Sequence, residues 1–159
     1  MNLNNLFPIQ KELDQHIVEK HNLQGQDLLN KKTVALTCEL YECVNETKIF
    51  KFWSVKNPDR EKMLEEYVDT LHFALSIGND LGYTHHTYTD KADRDLNSLT
   101  IGLTNLITII PQSRSHTHMK LLFDLIIKLG YQLGFDEKTV TDAYMAKNET
   151  NFVRQANGY

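Results

Sequence analysis

A chain of 159 residues, 41% hydrophobic and 24% charged, is long enough for one buried core, and its composition excludes general disorder. A formal net charge of −4 excludes a nucleic-acid-binding stripe, which needs clustered cations, but leaves room for a small anionic substrate met through a divalent cation. The opening MNLNNLFPIQKELD lacks the pattern of a secretory signal, and no stretch reaches the ~18 apolar residues of a membrane span, so a cytoplasmic protein with no membrane partner is expected.

Leu6, Ile9, Leu13 and Ile17 recur at helical spacing and predict a first helix over 3–21. Gln24-Gly25 interrupts it, and a second helix follows over 26–48 through Leu29, Leu36, Leu40 and Val44. Cys38 and Cys43 lie on this helix at a spacing that points their side chains apart, so both are expected as reduced thiols. Asn57-Pro58-Asp59 opens a third helix over 58–81, closed by Leu81-Gly82. Residues 83–93 are polar and aperiodic and read as a loop; its His85 and His86, like His116 and His118 further on, are expected at the surface. A fourth helix over 94–111 stops at Pro111, a fifth spans 116–133 before Gly134, and a sixth over 137–154 is capped by Asp136. With almost no strand signal, no repeat and no linker, the chain reads as all-α, about six helices in a single domain over 1–159. The third and fourth helices are apolar around much of their circumference (LHFALSIG, LTIGLTNLITII), which predicts a helix-packed homodimer.

The chemistry concentrates in two acidic pairs. Glu39-Leu40-Tyr41-Glu42 and Glu66-Tyr67-Val68-Asp69 each place carboxylates at i, i+3, about 60° apart on one helix face and roughly 4.5 Å along the axis. Leu36, Leu40 and Cys43 flank the first pair; Val68, Leu71 and Phe73 flank the second. Like charges beside apolar surface repel and are costly to desolvate unless a cation compensates them. Four hard oxygen donors on consecutive helices suit Mg²⁺, with Mn²⁺ as a substitute, and no His or Cys stands at zinc spacing with them.

In the last helix Tyr144, Lys147, Asn148, Asn151 and Arg154 share one face, a set that suits phosphate oxygens, with Lys as a point charge and Arg as a fork. Between the acidic helices, Phe50-Lys51-Phe52-Trp53-Ser54 holds the only tryptophan, a candidate platform for a nucleobase.

Together IQKELD (9–14), ELYE (39–42), FKFWS (50–54), EYVDTLHF (66–73) and YMAKNETNFVRQANGY (144–159) resemble the dimeric all-α dUTP diphosphatases, within the wider MazG-like all-α NTP pyrophosphohydrolases. The resemblance implies hydrolysis of dUTP, with dUDP as a further substrate, to dUMP. It implies that Glu39, Glu42, Glu66 and Asp69 ligate Mg²⁺, and that Gln10, Asp14 and Trp53 form the uracil pocket with His72 and Phe73 near the nucleoside. Tyr144, Lys147, Asn148, Asn151, Arg154 and Tyr159 would take the phosphates. Some relatives carry Asn where this chain has Asp14, which when ionised only accepts hydrogen bonds.

The expected mechanism has Glu39 deprotonate the attacking water while Lys147 and Arg154 hold the phosphate chain, and the C-terminal segment is expected to order over the phosphates when nucleotide binds. Two rivals predict different behaviour. The same fold could act on dCTP or non-standard nucleotides, or the chain could be a non-catalytic helical interaction protein with solvated acids.

Overall fold

The computed structural model describes residues 1–90 and 92–158. Six helices follow in order: α1 Leu6–Lys20, α2 Leu29–Thr47, α3 Arg60–Asp80, α4 Leu96–Ser113, α5 His116–Gln132 and α6 Glu137–Ala156. No strand occurs among the described residues.

Helix α3 is the centre of the bundle. It packs against α1, α2, α5 and α6, while α4 packs against α5 and α2. This placement explains why α3 is apolar on nearly every side: Tyr67, Val68, Leu71, Ala74, Leu75 and Ile77 are all buried in a helix with four packing neighbours. Helix α4 differs. It buries Leu99, Leu103, Ile107 and Ile110 but leaves Ile101 and Ile109 in solvent.

Local chemistry sets the helix starts. Asp59, Asp95, Ser115 and Asp136 each occupy an N-cap and accept from backbone N–H groups of the first turn, an interaction worth about 1 kcal/mol at each end. Gly82 and Gly134 follow α3 and α5 with φ of 72° and 77°, left-handed values that a side chain resists.

The boundaries differ from the sequence expectation at several helix ends, with α1 starting at Leu6 rather than 3 and α4 at Leu96 rather than 94. Helix α2 begins at Leu29 rather than 26, because the Asp27 carboxylate takes the Leu29 N–H in a turn of its own (3.0 Å). Helix α3 begins after Pro58, with Asp59 as the cap. Helix α4 continues through Pro111 to Ser113 and stops where Arg114 turns left-handed, φ 45°. Helix α6 reaches Ala156.

The segment after α3 is tied down more firmly than its polar sequence suggests. His86 is buried rather than at the surface. Its Nδ1 lies 2.8 Å from the Tyr83 hydroxyl and its Nε2 3.2 Å from Asp124, and Asp124 also accepts from the Thr89 N–H. The buried partner Asp124 sits on α5, too far along the chain for local pattern to reveal.

Candidate active site

Three of the four acids converge where α2 faces α3, and Asp69 is not one of the three. Carboxylate oxygens of Glu39, Glu42 and Glu66 lie within 4.8 Å of one another. Asp69, the fourth, is held by Lys147 of α6, whose Nζ is 2.6 Å from Asp69 Oδ2 and 3.2 Å from Glu65. Burial and then the neighbouring charges of Asp69, Glu42 and Glu66 push the Glu39 carboxyl up to about 7. Glu66 and Asp69 are raised as well, each by burial first; Glu42 and then Asp69 add to Glu66, and Lys147 opposes the rise at Asp69. Crowded, partly desolvated carboxylates of this kind are short of positive charge, and their hard oxygens fit a divalent cation such as Mg²⁺.

Beside the acids runs a buried polar relay. Gln10 Oε1 accepts from the Tyr144 hydroxyl at 2.7 Å and lies 2.7 Å from His72 Nδ1. Because that oxygen can only accept, His72 carries its proton on Nδ1 and keeps a lone pair on Nε2. That Nε2 is buried and makes no hydrogen bond. Burial pushes the imidazole down to about 3, so it stays neutral. Gln10 Nε2 donates to Asp14 Oδ1 at 2.8 Å, and the His72 and Tyr144 rings stack at 4.0 Å.

A cleft of about 240 Å³ opens between the relay and the acids. From the expected base pocket it is lined by Gln10, Asp14, His72 and Phe73; from the quartet, by Glu39 and Asp69. From α6 it receives Lys147, Asn151 and Arg154.

Other expected site residues lie elsewhere. Tyr144 and Asn148 are buried; the Tyr144 hydroxyl is spent on Gln10, and Asn148 Oδ1 has no hydrogen-bond partner. Trp53 is 66% exposed, edge-on to Phe52 at 4.9 Å, and does not line the cleft. Tyr159 lies outside the described residues. The helix carrying the phosphate-facing set spans Glu137–Ala156, and buried Gln155 ties it to His21 of the segment after α1 (2.7 Å).

Sequence reasoning passed over Gln155 and Lys32. Gln155 lines the cleft and Lys32 lies 3.9 Å from Asp14. Gln155 lies within the C-terminal motif, and Lys32 belongs to no motif, although it is one helical turn from Leu29 and Leu36 and so on the inward side of α2.

A family model described as dUTPase matches residues 2–159. No curated protein matches the chain.

Proposed function

The chain belongs to the dUTPase family and is a dUTP diphosphatase, and from that premise we propose that it works with Mg²⁺ held by Glu39, Glu42, Glu66 and Asp69. The observation that carries this reading is the single cleft that joins carboxylates, a buried polar relay and the cations of α6. When bound, the metal would supply charge neutralisation for the phosphates and a more acidic attacking water.

The protein's own groups do the rest. Uracil enters the relay end, where Asp14 accepts the N3–H and Phe73 covers the base. Glu39, its carboxyl raised into the neutral range, accepts the proton of the attacking water. Lys147 and Arg154 fix the phosphate chain for in-line attack, with Asn151 between them on the same helix. Lys147 is strongly cationic: burial opposes its charge, but the Asp69 and Glu65 carboxylates raise its pKa overall. The products are dUMP and pyrophosphate, and dUDP is a second substrate to be tried.

In this reading residues 1–159 form one catalytic unit of the MazG-like type, working as a homodimer in a reducing, cytoplasmic setting. Cys38 and Cys43 are both free thiols, and no helix among the described residues is long and apolar enough to cross a membrane.

The test is pyrophosphate release from dUTP, dUDP, dTTP, dCTP, dATP, dGTP and UTP, with Mg²⁺, with Mn²⁺ and with EDTA. A Mg²⁺-dependent preference for dUTP is expected. Full turnover in EDTA would remove the metal assignment, and equal rates on dCTP would remove the base assignment.

A further inference from the structure

Lys32 reaches the base pocket from behind. Its Nζ lies 2.6 Å from Asp80 Oδ2 and 3.9 Å from Asp14 Oδ2, and only 14% of its side chain is exposed. It thereby links α2 to α1 and α3. Lys32, Asp80 and Asp14 also line a second, larger cleft of about 590 Å³, whereas Lys32 does not line the candidate active site. Only Asp14 belongs to both.

The surroundings of Asp14 are unusually one-sided. Oδ1 takes the Gln10 amide, and that amide cannot turn round, because its own oxygen is occupied by Tyr144 and His72. Oδ2 is buried and makes no hydrogen bond. Burial is the largest influence on Asp14 and raises its carboxyl above the ordinary value; Lys32 is the largest of the influences that limit this rise, ahead of Gln10 and Ser76, and Asp80 adds to the rise. Tyr144 faces Asp14 from α6, and the cleft's other charges are Glu39, Asp69, Lys147 and Arg154.

We propose that Lys32, anchored on Asp80, is a specificity-determining positioning residue: it keeps the Asp14 carboxylate as an acceptor for the N3–H of uracil and thereby selects against cytosine. The proposal rests on the reading that Asp14 contacts the base. Uracil presents a donor at N3 between two carbonyls; cytosine presents a bare acceptor at N3 beside an amino donor. An ionised Asp14 matches the first and repels the lone pair of the second. A protonated Asp14 reverses the preference, donating to cytosine N3 while accepting from its amino group. The charge of Lys32 thus decides which base the same carboxyl accepts, without touching either.

The experiment compares kcat/KM for dUTP and dCTP with Mg²⁺, from about pH 5 to about pH 9, in the wild type, Lys32→Met, Lys32→Gln, Lys32→Arg and Asp14→Asn. The dUTP-to-dCTP ratio cancels whatever the metal and Glu39 contribute equally to both reactions. Losing Lys32 is expected to cut that ratio about tenfold near neutral pH and to move its fall at acid pH upward by about one unit. Lys32→Arg should restore both. Lys32→Gln keeps a polar, hydrogen-bonding side chain without the charge, so it carries the comparison if the methionine variant folds poorly. A ratio unchanged in both neutral variants, with the two substrates slowed alike, overturns the proposal and leaves Lys32 as a brace. In Asp14→Asn the ratio should lose its pH dependence. If it does not, Asp14 is not the base reader, and the fault lies in the base assignment underneath. A wild type that fails to hydrolyse dUTP would fault the functional reading itself.

Discussion

Glu39 is the carboxylate whose surroundings most oppose its charge, and two outcomes follow from that. Glu39→Gln removes a proton acceptor while keeping the shape, so turnover should fall by about 10²–10⁴ with nucleotide binding retained; near-normal turnover measured beside an unchanged Kd would take Glu39 out of the role. The second outcome concerns stability. The folded-state value of about 7 stands above the ordinary 4.5, so between those pH values the native state holds more protons than the unfolded one. The contribution of Glu39 is therefore favourable at acid pH and lost as pH rises through about 7. In metal-free protein, the Tm of Glu39→Gln relative to wild type should climb across this window, and Mg²⁺ should shrink the difference by neutralising the quartet. A Tm gap independent of pH would show that Glu39 is not raised.

At the scale of elements, the site depends on how closely α3 can approach its neighbours. A Cβ built on Gly130 of α5 would stand 2.5 Å from the hydroxyl of Tyr67, a fully buried α3 residue that donates to Ile126 O at 3.1 Å. Gly130→Ala should therefore cost about 1–3 kcal/mol, read as a lower Tm or denaturant midpoint; an unchanged midpoint would mean that α5 yields freely. The segment between α2 and α3 presents the opposite case. Phe50, Phe52 and Trp53 stand largely in water between the two helices that carry the acids, and such aromatic surface gains from covering a flat, apolar ligand. With Mg²⁺ and a non-hydrolysable dUTP analogue, emission from the single tryptophan is expected to shift to the blue. An unshifted spectrum at saturating ligand would remove Trp53 from the uracil pocket.

For the molecule as a whole, the apolar sequences of α3 and α4 have different explanations. Helix α3 satisfies its apolar faces inside one chain, so its composition gives no support to a dimer. Helix α4 does not: Ile101 and Ile109 remain exposed, as do Val34 and Tyr41 on α2, which α4 packs against. A homodimer closing over this face is the expected state, and light scattering should report twice the chain mass. Ile101→Glu should shift that mass toward monomer, and a monomeric wild type at micromolar concentration would discard the interface.

The fold class was legible in the sequence because helical periodicity, capping residues and glycine stops act over a few residues. The helices therefore lie near their expected places, with Gly134 following α5 and Asp136 capping α6. The acid pairs were legible for the same reason, since i, i+3 spacing alone puts two carboxylates on one face. What sequence could not decide is how those faces meet. Tyr144 shares a face with Lys147 and Arg154, yet only packing against α1 and α3 commits its hydroxyl to Gln10 and its ring to His72. Lys32 carries no motif and gains meaning only because Asp14 and Asp80, from two other helices, come within reach of one ammonium. Hydrogen bonds and ion pairs act over a few ångströms in space whatever the separation along the chain, so their partners were fixed by the tertiary structure alone.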